Sequence, residues 1–180
     1  MRKLVLQMQV SVDGFVGRPD GNLEWIFPDF SEDFVAWEVE RLGRAGAHLM
    51  GSSTYRDMAA YWPTSSEPYA APMNGIPKIV FSRSLTTADW KETQVAAGDL
   101  EAEIKTLKGQ AGAELLAHGG SRFARSLTRA GLVDEYRLLV HPIALGRGLR
   151  LFDPAEPMRL KLVETTTFKS GLVAVVYHPA

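Results

Sequence analysis

Three short runs in this chain set glycine, hydroxyls and one cation where apolar stretches stop: Gly51-Ser52-Ser53-Thr54, Ser82-Arg83-Ser84 and Gly119-Gly120-Ser121. These residue types suit the holding of a phosphate better than the attack on a bond. Where a strand gives way to a helix, unpaired backbone N–H groups point outward at the positive end of the helix dipole, so phosphate oxygens bind there without a dedicated side chain. Glycine lets the phosphate come close, and an arginine between two serines can grip a phosphate monoester through charge-assisted bonds. Taken singly, each run also reads as a capping motif or an exposed turn. Three of them at successive strand ends point to a nucleotide cofactor lying along one edge of a sheet, because ligands of open α/β sheets bind beyond the strand ends. Nucleophilic and metal chemistry have little support. The chain has no cysteine, and His48, His118, His141 and His178 lack HExxH-type spacing.

The elements that must position these runs are legible in outline. Lys3 to Val12 is an apolar run of strand length followed by Asp13-Gly14 and a Gly/Pro/Asp-rich loop. Ser31 is an N-cap candidate with Glu32 and Asp33 in the first turn, and Val35, Val39 and Leu42 continue an apolar stripe, so a helix is expected over 31–44. Ala47 to Met50 is a buried strand stopping at Gly51, and a helix through Tyr55 and Met58 follows. Residues 63–77 read as a loop and Ile79 to Phe81 as a strand. Leu100, Ile104 and Leu107 share a helix face that leads to the strand Glu114 to Ala117, and Phe123, Leu127 and Ala130 form the stripe of the helix after the double glycine. Glu135 to Val140, Arg159 to Phe168 and Leu172 to His178 are strands, the last two joined by a Lys169-Ser170-Gly171 turn. The fold class is α/β: one domain over 1–180, in three α/β/α layers, with a mixed, mostly parallel central sheet and a C-terminal antiparallel hairpin.

Composition narrows the partners. Twenty basic residues against 21 acidic ones, with neither sign in a long block, argue against nucleic acid and anionic membranes and for a small molecule. No segment approaches the roughly 20 apolar residues of a spanning helix, and the start reads as a strand, so a cytoplasmic protein is expected. Gly146-Arg147-Gly148 begins like a dinucleotide fingerprint, but Leu151 takes the third glycine's place and no helix pattern follows.

At these residues the chain resembles the dihydrofolate reductase-like superfamily, and within it the reductase domain of the bifunctional riboflavin-biosynthesis deaminase/reductase. The matching pieces are SVDGFVG (11–17), MGSSTY (50–55), KIVFSRSL (78–85), HGGS (118–121) and GLVDEYRLLVHPIALGRGLRLF (131–152). The resemblance implies a dihydrofolate reductase-like fold, NADPH extended over the strand ends, and a homodimer. Gly51, Ser52, Ser53 and Thr54 would meet phosphates and ribose. Ser82, Arg83 and Ser84 would take the adenosine 2'-phosphate. The turn of His118, Gly119, Gly120, Ser121, Arg122 and Phe123 would take the pyrophosphate, and Val16 and Gly17 would border the nicotinamide. A cis peptide at Gly119-Gly120 is expected by the same resemblance.

Hydride transfer needs a held acceptor, exclusion of water and a proton source. By resemblance Asp33 corresponds to the acid that orients the substrate ring in folate reductases, with Asp29 and Glu32 as competitors, and a helix-dipole role as the alternative. Asp13 corresponds to the SxDG acid of the riboflavin branch, with a turn-forming Asp-Gly as the alternative. Trp25, Tyr61 and Trp62 could wall a flat heterocycle or serve as core. Arg122, Arg147 and Arg150 are the cations that could meet a substrate phosphate. Two departures shape the reading. The arginine that binds the folate tail is missing from Gly75-Ile76-Pro77-Lys78, and the deaminase's zinc motifs cannot exist without cysteine. The expected activity is an NADPH-dependent reduction like that of 5-amino-6-(5-phosphoribosylamino)uracil. A stand-alone pterin or carbonyl reductase and a non-catalytic NADPH-binding protein are the alternatives.

Overall fold

A computed structural model describes residues 1–152 and 157–180. The strands are β1 (Leu4–Ser11), β2 (Phe15–Gly17), β3 (Ala47–Gly51), β4 (Lys78–Phe81), β5 (Thr93–Ala96), β6 (Leu115–Ala117), β7 (Glu135–His141), β8 (Leu149–Arg150), β9 (Leu160–Thr167) and β10 (Val173–Pro179). The helices are α1 (Glu32–Gly43), α2 (Ser52–Tyr61), α3 (Ala70–Gly75), α4 (Leu100–Gly109) and α5 (Ser121–Arg129). Eight strands form one sheet in the order β5-β4-β3-β6-β1-β7-β10-β9, and β2 pairs with β8 in a small ribbon. The pairings from β5 through β7 are parallel, and β10 runs antiparallel to β7 and to β9.

That order explains the layers. From β1 the chain steps to β3 and then β4 in one direction, and from β5 it returns to β6 and then β7 in the other. Right-handed crossovers in opposite directions put their helices on opposite faces. Leu42, Tyr55 and Met73, from α1, α2 and α3, pack with Val5, Met50 and Val80 on one face. Ile104, Phe123 and Leu127, from α4 and α5, pack with Leu4, Leu6 and Leu49 on the other. Adjacent strand residues thus serve opposite cores, which is why β1, β3 and β6 read as continuous apolar runs.

The expected loop over 63–77 contains a short helix, α3. Its apolar residues are too few to show a period, and Lys78 holds its end. The Lys78 side chain is fully buried, and its ammonium donates to the carbonyls of Met73, Asn74 and Ile76 at 3.2, 3.0 and 3.0 Å while lying 4.6 Å from the Trp90 ring centre. A cation among the last carbonyls of a helix satisfies groups that the helix leaves orphaned. The strand β5 and the β2–β8 ribbon were also absent from the sequence reading, being short and mostly half-exposed or glycine-bearing. Among the described residues no helix is long and apolar enough to cross a membrane.

Several ionisable groups lie inside. The Gln7 amide donates to Glu38 Oε1 at 2.9 Å, and Arg137 reaches Gln7, Glu114 and Glu135 from β7. Burial pushes the Glu38 carboxyl from 4.5 up to about 7, against an opposite pull from Tyr69 and Arg137. Burial also pushes His48 from 6.5 down to about 4, and lowers His118 and His141.

These shifts act on stability with opposite signs. Below 6.5 an unfolded histidine binds a proton that the buried one refuses, so stability is lost as pH falls from 6.5 toward 4, by about 3 kcal/mol for His48. Between 4.5 and 7 the folded protein keeps the Glu38 proton that the unfolded chain gives up, so this group removes about 3 kcal/mol as pH rises. Three histidines outweigh one carboxyl. Urea unfolding should show stability rising from pH 5 to 6.5, and more steeply in Glu38→Gln, whose amide keeps the bond to Gln7. Equal slopes in the two proteins would show that Glu38 is ionised when folded.

Candidate functional site

The parallel strands β1, β3, β4 and β6 end on one edge, but not level with one another. β6 stops at Ala117, opposite Leu6 of β1 and Leu49 of β3, while β1 runs on to Ser11. On the β6 side, then, the far half of β1 has no strand beside it, and the chain leaving β6 must turn at once. Gly119 and Gly120 make that turn.

Gly120 is required by a close approach, whereas Gly119 has room for a side chain only up against Met8. A Cβ on Gly119 would stand 3.4 Å from the Met8 thioether, and one on Gly120 would lie 2.8 Å from Thr54 Oγ1. Gly120 also has φ +98°, a region that side chains rarely enter. The turn is fastened to α2, since the Thr54 hydroxyl donates to the Gly119 carbonyl at 2.6 Å. The first turns of α2 and α5, neither capped by a side chain, are thereby held side by side. Gly51 sits against them, where an added Cβ would come 3.2 Å from Phe123, and Phe123 stacks on Phe81 at 5.1 Å. Gly51, Thr54, Gly119, Gly120 and Phe123 thus form one cradle of backbone N–H groups, with Ser52, Ser53, Ser121 and Arg122 in the same two helix starts. The expected cis peptide is corrected: among the described residues every peptide is trans, because the turn is made by Gly120's positive φ instead.

Further along the edge, Ser82 Oγ accepts from the amides of Ser84 and Leu85 at 3.2 and 3.0 Å, a hydroxyl turn that leaves Arg83 exposed at the end of β4. Val16 is buried in the core beside the cradle's strands, and Gly17 adjoins Gly148, where a Cβ would meet the Gly17 carbonyl at 2.2 Å.

His118 is a correction at the level of its side chain. Its imidazole turns inward, 7% exposed, and meets His48, Nε2 to Nδ1, at 2.8 Å. His48 Nε2 faces the Pro72 carbonyl at 3.2 Å, and a carbonyl only accepts, so Nε2 carries the hydrogen. A neutral His48 therefore accepts at Nδ1, and His118 donates. The ring props the turn from beneath.

The two acids named from resemblance have structural partners. Asp13 Oδ1 accepts from the Ser11 hydroxyl at 2.6 Å and the Leu145 amide at 3.0 Å, and Oδ2 from the Gly146 amide at 2.7 Å. These bonds, Ser11's foremost, bring its carboxyl down to about 2, so Asp13 is an ionised clamp between the β1 turn and the loop after β7. Asp33 Oδ2 accepts from the Lys169 amide at 3.1 Å and anchors α1 to the β9–β10 hairpin. Asp29, which competed with Asp33, instead meets a residue that sequence did not single out: Oδ2 lies 2.7 Å from Nδ1 of buried His141.

Of the three aromatics, Tyr61 and Trp62 pack edge to face with centroids 4.9 Å apart, while Trp25 packs against another residue. Trp25 is buried edge-on to His141 with centroids 5.2 Å apart, and its indole donates to the Asn22 carbonyl. Tyr61 and Trp62 lie at the far end of α2, about 15 Å along the axis from Ser52. There the Tyr61 hydroxyl meets Glu67, and the Trp62 carbonyl accepts from Asn74. Of the three arginines, Arg150 lies over Phe15 at 4.8 Å, Arg147 lines a cleft of about 420 Å³ with Arg18, and Arg122 is exposed in the first turn of α5.

Comparison with known proteins agrees with this geometry. Residues 2–174 match the model of the RibD C-terminal domain. The chain belongs to that family. A Bacillus subtilis (strain 168) protein, the uncharacterised YyaP, is 31% identical over 183 residues, covering 98% of this chain and 95% of its own. Among solved structures, a Shewanella sp. PV-4 protein provisionally named for riboflavin biosynthesis superposes with a TM-score of 0.75 at 20% identity, covering 99% of both chains. The Thermotoga maritima diaminohydroxyphosphoribosylaminopyrimidine deaminase/5-amino-6-(5-phosphoribosylamino)uracil reductase superposes with a TM-score of 0.70 at 18% identity, over 99% of this chain and 57% of that one. The fold is dihydrofolate reductase-like, and RibD C-terminal domains share it.

The cradle makes a stability prediction independent of any ligand. Gly120→Ala forces a side chain into the positive-φ region and against Thr54, and should cost about 1–3 kcal/mol in urea unfolding. Adding Thr54→Ala should recover the steric part. A Gly120→Ala protein as stable as the parent would show that the turn is relaxed elsewhere.

Proposed function

We propose that this chain is an NADPH-dependent reductase that transfers hydride to a carbonyl attached to a heterocycle, in the manner of 5-amino-6-(5-phosphoribosylamino)uracil reduction. The observation that carries this reading is the joined cradle of Gly51, Thr54, Gly119 and Gly120, in which added Cβ atoms on Gly51 and Gly120 would intrude. Membership of the RibD C-terminal domain family supports it. When bound, NADPH supplies the hydride. The first turns of α2 and α5 would hold its phosphates through backbone N–H groups, and Arg83 with Ser84 its 2'-phosphate. Val16 and Gly17, pinned to the end of β1 through the Asp13 clamp, would exclude water from the nicotinamide side.

Folate itself fits poorly. The stretch Gly75-Ile76-Pro77-Lys78 leading into β4, which would need a free cation, offers only Lys78, and its ammonium is committed to three carbonyls. A stand-alone pterin or xenobiotic carbonyl reductase is the second reading, supported by the length of YyaP, 95% of which this chain covers, with no room there for a deaminase domain.

At a hundred times its dissociation constant NADPH should stabilise the protein by about 2.7 kcal/mol, a rise of several degrees in Tm by thermal denaturation. Loss of NADPH absorbance with the aminouracil substrate, dihydrofolate and simple carbonyls then tests turnover; oxidation with none of them would favour a binding protein. Arg83→Ala should lower the preference for NADPH over NADH by about tenfold or more, as loss of a charge-assisted bond of 1.5–3 kcal/mol requires. An unchanged preference would remove Arg83 from the 2'-phosphate site.

A further inference from the structure

Beyond Leu6, β1 has no strand on its cradle side, and Gln9 lies on that stretch, opposite Leu139 of β7. The residue before it, Met8, bounds the Gly119 turn. Gln9 is half-buried, and among the described residues only one end of its amide has a partner: Oε1 lies 2.7 Å from Nε2 of His141. The other end is free, on the part of the sheet that the split leaves open.

Which amide atom is free follows from the ring. Nδ1 of His141 lies 2.7 Å from Asp29 Oδ2, and the fully buried imidazole is covered by Trp25, edge-on at 5.2 Å, and by Phe30 at 6.4 Å. Burial pushes the imidazole below its usual range, outweighing the opposite pull of Asp29, so the ring is neutral and holds one hydrogen. A carboxylate only accepts, and it is a stronger acceptor than an amide, so that hydrogen sits on Nδ1. Nε2 of the ring is then a bare lone pair, and an amide oxygen at 2.7 Å would set two acceptors against each other. A half-turn of the Gln9 amide exchanges its oxygen and nitrogen without changing the shape of the side chain, and it replaces that repulsion with an N–H···N bond. The carboxylate orders the ring, the ring orders the amide, and the amide oxygen is left pointing away from the ring, unpaired.

We propose that Gln9 is a specificity-determining residue of the substrate site, a fixed acceptor that reads an N–H or amino group on the substrate's heterocycle, with His141 and Asp29 as the positioning residues that hold it so. The inference rests on the reductase reading and adds to it the class of ring: one that carries a hydrogen-bond donor. The backbone groups of the cradle donate and so suit anions; Gln9 supplies the opposite polarity on the same edge. A ring without a donor would cover the Gln9 oxygen and leave it unpaired, and a site built to bond a polar group discriminates against an analogue that lacks it.

The test uses the full chain and the same substrate panel. Because a substitution at fully buried His141 could unfold the protein, the variants are made at half-buried Gln9. For the heterocyclic panel member that the parent reduces fastest, Gln9→Met, of similar shape but without an acceptor oxygen, should raise KM by about 10- to 100-fold with kcat changed by less than about threefold, the split expected when binding common to ground and transition state is lost. Gln9→Glu keeps an outward oxygen and should return KM to within about fivefold of the parent, a rescue that a packing role would not produce. A second measurement needs no turnover. In 15N NMR of the four histidines at neutral pH, the ring whose signals move in Gln9→Met is His141, and it should carry its hydrogen on Nδ1 and none on Nε2. A hydrogen on Nε2, an unchanged KM in Gln9→Met, or a parent that reduces simple carbonyls alone overturns the proposal and leaves reduction itself standing. A parent that binds NADPH but oxidises it with no panel member overturns the reductase reading, and this inference falls with it.

Discussion

Because β6 ends opposite Leu6 while β1 continues to Ser11, the sheet is split along one flank of β1, and most of the ligand edge follows from that split. The chain must turn immediately after Ala117, in a space already bounded by Met8 and by the start of α2. At Gly120 only a residue without a Cβ fits, and Thr54 fixes the result by bonding the Gly119 carbonyl. The direction in which the chain crosses the sheet reverses at the same point, so helices of opposite faces, α2 and α5, begin beside one another. A pair of helix starts facing a gap in a sheet concentrates unpaired N–H groups, and an anion is the natural complement of such a surface.

Holding that edge rigid requires polar groups in places where burial makes them costly, and the chain meets the cost by pairing them. The neutral His48–His118 pair runs from the Pro72 carbonyl to the base of the glycine turn, with each ring nitrogen's role fixed by the carbonyl at one end. Lys78 closes α3 by filling three carbonyls. Glu38, Gln7 and Arg137 tie α1 across β1 to β7. Two of these units lie on the β6 side of the split and the third on the β7 side, so each flank of β1 is braced by hydrogen bonds of defined direction. An unpaired member would cost several kcal/mol, which makes these contacts selective for one register as well as cohesive.

The elements carrying strong periodic signals were legible. α1, α4 and α5 could be read from their stripes, and β1, β3 and β7 from apolar runs that only a sheet covered on both faces explains. The glycine and serine junctions were legible too, since φ and capping demands act within a few residues. Side-chain direction at the site was not. Asp13 and Asp33 look alike in sequence to any acid near a strand end or helix start, and only the loop of Leu145 and Gly146 and the hairpin at Lys169 show that both are spent on backbone amides. His141 gave no local signal, because its partners lie 112 and 132 positions away. The interior pairing of His118 with His48 was hidden for the same reason, at a separation of 70.

The two flanks of β1 differ in the chemistry they offer. Toward β6 lie backbone amides, glycines and hydroxyls, with no ionised acid in the cradle, a surface that attracts phosphate and repels nothing anionic. Toward β7 lie a carboxylate, an imidazole and an amide under an aromatic cover. Mixing the two would weaken the cradle, since a carboxylate beside it would oppose an anion. A single strand, about 5 Å from each neighbour, keeps them apart, so the charge on one flank is set without disturbing the other.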